Sequence, residues 1–224
     1  TVIMWRSDRG DTEELYRSFL PNIKNFITID EVDFSGNIHG MKYHFIQRLK
    51  NPLAEMIGTE KTIDFGYWGR MKMGNDREKT IRKIYRSELS TVMVGGFPSG
   101  VQRQSAWIKD WNKLYPLLEP SRCTLCFNWI DQTATTSRYP EALSIGMIPF
   151  VWQDYDSNNT YNIDPWQRIT SPEELVEKAI LLRDEKFFEK KLEEFRTNYS
   201  KVLLTQEEYF KLFSNKMNFA LDKV

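Results

Sequence analysis

Cysteine and histidine are scarce in this chain: 224 residues hold two of each, Cys123 with Cys126 and His39 with His44. Two cysteines three residues apart exclude a disulfide scaffold. A zinc or redox site would need a second cysteine pair or a histidine cluster close by, and both histidines lie far upstream. The run Arg122-Cys-Thr-Leu-Cys-Phe-Asn-Trp-Ile reads instead as a strand with buried structural thiols on its opposite sides. Long apolar runs are also missing. Nothing approaches the roughly 20 residues that span a bilayer, and no basic-then-apolar leader opens the sequence, so a soluble cytoplasmic protein with no membrane partner is expected. Net charge is absent as well: 31 Lys and Arg balance 31 Asp and Glu. The molecule as a whole has no pull toward nucleic acid or anionic lipid, and any such binding must come from a local patch.

What the sequence does contain is core-forming material, with 41% apolar and 14% aromatic residues, which excludes a disordered tail. The chain opens on Thr1 directly into an apolar strand pattern, and the expectation is that part of an N-terminal domain precedes it. A strand at 1–5, a polar turn, a short helix through Leu15, Phe19 and Leu20, and β-rich runs at 26–29 and 43–46 lead to a boundary near Asn51-Pro52. From there strands and helices alternate: strand 62–67, helix 77–87, strand 91–94, helix 103–115, strand 123–130, helix 140–145 closed by Gly146, strand 148–152. Alternation of this kind builds a parallel sheet covered by helices. Ser171-Pro172-Glu173-Glu174 opens the first of two or three amphipathic C-terminal helices with a Ser cap and a Pro at the first helical position. Three segments follow: 1–55 as the remainder of an N-terminal domain, 56–170 as a Rossmann-like domain, and 171–224 as C-terminal helices.

In open parallel sheets ligands bind beyond the carboxyl ends of the strands, so the loops there matter most. The loop from Trp68 to Arg77 puts Gly69 and Gly74 with Arg70, Lys72 and Arg77 between a strand and a helix. Glycines that admit close backbone approach, cations and a helix N-terminus make an anion cradle; an ordinary solvated helix start is the alternative. Over 66–113 there are ten Lys or Arg against four Asp or Glu, a local positive excess in a neutral chain. A second loop leads into Ser137-Arg138-Tyr139-Pro140-Glu141-Ala142. Pro140 at the first helical position aims Glu141 toward the strand ends, where its carboxylate can accept both hydroxyls of a ribose while Arg138 grips a diphosphate; a surface acid favoured by the helix dipole is the alternative. Trp107, Trp111 and Tyr115 read as a buried helix stripe, and Asp154 and Asp156 as solvated loop acids in place of a convincing metal cluster.

The string Arg138-x-Pro140-Glu141-Ala142-x-x-x-Gly146-x-Ile148-Pro149-Phe150-Val151 resembles the nucleotide-sugar half of GT-B glycosyltransferases, which are built from two facing Rossmann-like domains. Together with Thr62-Ile-Asp-Phe-Gly-Tyr-Trp-Gly69, Arg70, Lys72, Gly74, Arg77 and Glu78, it resembles more closely the bacteriophage DNA β-glucosyltransferases, which glucosylate 5-hydroxymethylcytosine in duplex DNA; the resemblance covers most of 60–205. It implies an α/β GT-B fold and a UDP-sugar donor, UDP-glucose first, with a divalent metal possible but not indicated by the residues. Arg77 and Lys72 stand at diphosphate-binding arginines of that family, Lys72 without the bidentate fork. Gly69 and Arg70 belong to the same turn. Arg138 and Glu141 match the phosphate and ribose ligands, Asp131 resembles a sugar-contacting aspartate on a shorter loop, and Asp8 matches the catalytic base, with Asp11 as a substitute. The acceptor implied is double-stranded DNA, the assembly a monomer, and the setting the cytoplasm of a phage host. A GT-B enzyme acting on a carbohydrate or other small acceptor, and a non-enzymatic nucleotide- or nucleic-acid-binding module, remain open.

Overall fold

The structure is a computed structural model that describes the backbone of 2–6, 26–30, 36–38, 41–45 and Arg70; with side chains it describes 59–69, 76–96, 100–101, 108, 110–128, 136–156, 159, 161–203, 205, 207–208, 210–211 and 214–215. Two sheets result. The first has the order β1-β2-β4-β3, from β1 (Val2–Arg6), β2 (Phe26–Asp30), β3 (Gly36–Ile38) and β4 (Met41–Phe45). β1, β2 and β4 run parallel, with Val2 opposite Phe26 and Ile27 opposite Lys42, while β3 pairs antiparallel with β4. The runs at 26–29 and 43–46 correspond to β2 and β4. The three-residue β3 is too short to leave a period in the sequence. The expected helix through Leu15 and Phe19 lies outside the described residues.

The second sheet is wholly parallel, with the order β6-β5-β7-β8-β9: β5 (Ile63–Arg70), β6 (Thr91–Gly96), β7 (Ser121–Cys126), β8 (Ile148–Trp152) and β9 (Arg168–Ile169). Its helices are α1 (Asp76–Tyr85), α2 (Trp111–Leu118), α3 (Arg138–Ser144), α4 (Pro172–Leu181) and α5 (Glu185–Ser200), with a 3₁₀ turn at Pro165–Gln167. From β5 the chain builds outward to β6, then crosses back to the other side of β5 for β7, β8 and β9. The order therefore reverses between β5 and β7, the position at which a crevice opens above an open parallel sheet.

Both faces of this sheet are covered, and strand alternation distributes side chains between them. Phe65, Tyr67 and Met93 join one buried cluster with Ile81 and Ile84 of α1, whereas Trp68, Val92 and Val94 join a second with Leu114 and Leu118 of α2 and Ala142 of α3. Cys123 and Cys126 are free thiols, both buried in the larger cluster. Burial pushes Cys126 up to about 12, with the Arg138 charge opposing, so this thiol is an inert core group. Among the described residues no helix is long and apolar enough to cross a membrane.

Several boundaries differ from expectation for identifiable reasons. β5 and β6 extend to Arg70 and Gly96, because the glycines that suggested a turn lie within paired strand ends. The helix expected at 103–115 is α2 in its described part: Asp110 caps it, its side chain accepting from the Asn112 amide at 3.0 Å, and the helix runs through Pro116. Leu114 and Leu118 flank that proline and are both buried, which offsets the one backbone bond Pro116 cannot donate. Trp111 is 40% exposed rather than part of a buried stripe, which is formed by Leu114 and Leu118 instead. α3 begins at Arg138, so Pro140 is its third residue rather than its first. Gly146, at φ 70°, follows the Ile145 cap in the left-handed conformation that ends the helix. α4 starts as read, with the Ser171 hydroxyl accepting from the Glu174 amide at 3.1 Å.

Candidate functional site

α3 is held rigidly from below. Tyr139 is fully buried, its hydroxyl donating to Gln167 Oε1 at 3.0 Å, while Gln167 Nε2 donates to the Pro149 carbonyl of β8 at 2.8 Å. The Tyr139 ring stacks on Tyr161 at 5.3 Å and meets Tyr199 of α5 at 6.3 Å, and Arg196 of α5 donates to the Leu143 carbonyl. Removing such a ring typically costs about 3–5 kcal/mol, so the first turn of α3 stands on a packed base.

That first turn presents Arg138 across the carboxyl end of β5. Its guanidinium lies 4.7 Å from the Tyr67 ring centroid and 5.1 Å from that of Trp68, and donates to the Trp68 carbonyl at 2.6 Å and the Tyr67 hydroxyl at 3.4 Å. Its Nε is buried with no acceptor among the described residues. Arg77, the second residue of α1, arrives from the other side. It lies 5.1 Å from the Phe127 ring centroid and donates to the Asn128 carbonyl just beyond β7. Burial lowers its pKa most; Tyr67, which it also reaches, opposes that and the Arg138 charge adds to it. Two guanidiniums thus converge on Tyr67 between β5 and β7, at the point where the strand order reverses. Among the described residues neither has a carboxylate within salt-bridge distance. Cations held this close with no salt-bridged carboxylate among the described residues have the chemistry to receive an anion.

Glu141 follows one turn along α3, half-buried, and no donor among the described residues meets its carboxylate. Its charge reaches Tyr115 of α2, whose phenol is raised first by burial and then by that charge. A carboxylate in that position can accept from a pair of neighbouring hydroxyls.

Gly69 and Gly95 occupy the paired ends of β5 and β6, at φ 129° and 133°. A Cβ on Gly95 would lie 2.1 Å from the Gly69 carbonyl oxygen, so the close backbone approach observed at Gly69 is to its neighbouring strand. Arg70 ends β5. Lys72, Gly74, Asp131, Asp8 and Asp11 lie outside the described residues. The structure therefore brings together Arg77, Arg138 and Glu141 from the expected set, at the carboxyl end of one sheet. Four cations of 66–113 are paired locally, Lys79 with Asp76, Arg82 with Glu78, Lys113 with Asp110 and Lys83 with Glu173, and only the last pair draws on an acid outside that window.

Asp156 corrects the expectation of two solvated acids. It is fully buried at φ 51°, its carboxylate accepting from the Tyr161 amide at 2.8 Å and so anchoring a turn, while Asp154 is exposed. Among the described residues no group of three His, Cys, Asp or Glu side chains could hold a metal ion. Tyr67 and Asn128 were not singled out by sequence reasoning. Tyr67 reads as one more aromatic in a strand, and Asn128 as a residue inside the strand expected at 123–130.

A parallel sheet with helices on both faces and a crevice at its switch point defines an α/β fold of the GT-B type. Comparison with solved structures gives that class particular members. The DNA modifying enzyme beta-glucosyltransferase, solved with and without uridine diphosphoglucose, matches over 97% of this chain and 74% of its own at 11% identity and a TM-score of 0.68. The T4 phage enzyme in complex with its UDP-glucose substrate matches over 96% and 74% at 12% identity and a TM-score of 0.69. TarM matches over 94% of this chain and 46% of its own at 8% identity and a TM-score of 0.52. At these identities the likeness is one of fold. No family model and no curated protein sequence matches the chain.

Proposed function

We propose that the chain is a UDP-sugar-dependent hexosyltransferase that moves a hexose, glucose first, onto a hydroxymethylated base in double-stranded DNA. The observation that carries this reading is the convergence of Arg77 and Arg138 on Tyr67, one helical turn from Glu141, with no carboxylate on the arginines and no donor on Glu141 among the described residues. A nucleoside diphosphate offers complementary groups: anionic oxygens for the two guanidiniums and a ribose diol for the carboxylate. The fold neighbours from T4 phage were solved with UDP-glucose and with UDP and Mn2+. In this chain the described donor set at the crevice is two arginines and a single carboxylate, which does not fit a divalent cation.

The chemistry is displacement at the anomeric carbon. The Asp8 carboxylate takes the proton of the acceptor hydroxyl, whose oxygen bonds to the anomeric carbon as the bond to the β-phosphate oxygen breaks. UDP leaves carrying the electron pair, and its added charge falls on Arg77 and Arg138, so no second acid is needed to protonate the leaving group. A base in duplex DNA would have to swing out of the stack to reach Asp8.

The test is transfer of label from UDP-[14C]glucose. Incorporation into hydroxymethylated duplex DNA but not into unmodified DNA is expected. Equal labelling of both, or of neither, sinks the DNA assignment, and labelling of a saccharide acceptor alone replaces it with small-acceptor transfer. Asp8→Ala should abolish transfer while UDP binding persists.

A further inference from the structure

We infer that Asn128 is a sugar-selecting residue: its side-chain oxygen is the fixed acceptor for one hydroxyl of the donor hexose. The inference rests on the nucleotide-sugar reading above and deepens it. The resemblance places sugar contact on Asp131, three residues further on; Asn128 is brought forward by geometry alone.

Asn128 follows Phe127 directly beyond the carboxyl end of β7, on the β7 side of the switch point. It is fixed twice. Its backbone carbonyl accepts from Arg77, one of the two guanidiniums assigned to the diphosphate, and its Nδ2 donates to the Asp154 carbonyl beyond β8 at 2.8 Å. The second bond settles which end of the amide is which, since turning it over would set its oxygen against a carbonyl oxygen. Oδ1 is thereby held in one orientation, and it is buried with no donor among the described residues.

A buried acceptor without a donor is unfavourable, and such groups in a folded protein call for an explanation. Here the nearest ligand-binding feature supplies one, because Arg77 ties Asn128 directly to the diphosphate position. The group attached to that diphosphate at its reacting end is a hexose, whose ring hydroxyls are donors. An amide oxygen already rigid and already stripped of water accepts such a hydroxyl at little cost in its own freedom, once the sugar displaces the atoms that cover it. A site built around a hydrogen bond to a hydroxyl also discriminates strongly against an analogue that lacks it, because the protein group is then left unpaired. Asn128 would therefore determine which sugar is taken rather than how tightly the nucleotide is held.

Binding measurements separate these roles without requiring the acceptor. The affinities of the 224-residue chain and of its Asn128→Ala variant are measured by calorimetry for UDP, for UDP-glucose, and for UDP-glucose analogues lacking one ring hydroxyl at a time. The original chain should bind one deoxy analogue about tenfold to a hundredfold more weakly than UDP-glucose. In N128A that preference should fall to near unity, with UDP affinity within about twofold of the original, since the Arg77 bond uses the backbone carbonyl. If N128A keeps the full preference, or loses affinity for UDP as much as for UDP-glucose, the inference is overturned while the nucleotide-sugar reading stands. If the original chain binds no UDP, the nucleotide-sugar reading fails and takes this inference with it.

Discussion

Lys61 offers the sharpest stability prediction, because one buried cation joins the C-terminal ends of α2 and α3. Its ammonium donates to the Glu119 carbonyl, at the C-cap of α2, at 2.5 Å, and to the Ile145 carbonyl, at the C-cap of α3, at 3.4 Å; the residue is 8% exposed. Burial lowers its pKa from 10.5 to about 8, against the opposing pull of Glu119 and Glu185, with Arg122 adding to the lowering. Between those two values the unfolded chain still holds the proton that the folded chain has released. Stability from this group therefore rises with pH across the window from about 8 to 10.5, is fully present above it, and is lost as pH falls through the folded value. A shift of that size corresponds to about 3 kcal/mol at full amplitude. Other groups titrate in the same range, notably Tyr139, Tyr155 and Tyr199, whose phenols burial raises, so the measurement must be differential. Lys61→Met retains most of the volume and cannot titrate. Urea unfolding followed by circular dichroism, at neutral pH and near pH 10.5, should show the advantage of the original chain over K61M growing by about 3 kcal/mol. A difference that stays flat, or shrinks as pH rises, would refute the argument that the ammonium is held at the expense of its charged form.

Three further outcomes are expected. Glu141→Ala should weaken UDP binding by about tenfold to a hundredfold, the loss of hydrogen bonds to a carboxylate, with the circular dichroism spectrum unchanged; an unaltered calorimetric affinity would remove Glu141 from the site. Gly95→Ala should destabilise the chain by about 3 kcal/mol or more, since the new Cβ would lie 2.1 Å from a backbone oxygen at φ 133° with nothing flexible to give way; an unchanged urea midpoint would contradict it. Cys126, raised to about 12 by burial, should not react with a thiol reagent at neutral pH until urea unfolds the chain, and prompt reaction of the native protein would contradict its packing.

What could be read in the sequence and what could not divide along a physical line. The strands and helices of the second sheet were legible because each buries a regular pattern: Val92 and Val94 alternate with Met93 in β6, and Ser171, Pro172 and Glu174 spell out the start of α4. Arg77, Arg138 and Glu141 were legible as candidates because a cation or an acid at a helix start after a strand has a direct electrostatic use. Their convergence on one ligand was implied only by the resemblance, since it depends on β7 crossing back past β5, a fact of strand order that no local spacing encodes. Trp111 and Asp156 misled for the same reason. Four-residue spacing placed Trp111 in a stripe, but Asp110 caps α2 just ahead of it and turns the ring outward, while a loop position suggested a solvated Asp156 that the Tyr161 amide holds in the core. Asn128 lies at the far end of this scale. An asparagine beyond a strand carries no motif, and it acquires meaning only when Arg77 from the start of α1 and Asp154 from beyond β8 fix both its backbone and its amide, leaving one oriented oxygen without a donor among the described residues. Charge at a helix start can therefore be proposed from sequence, whereas an unsatisfied neutral acceptor is a property of three segments meeting and emerges only from the fold.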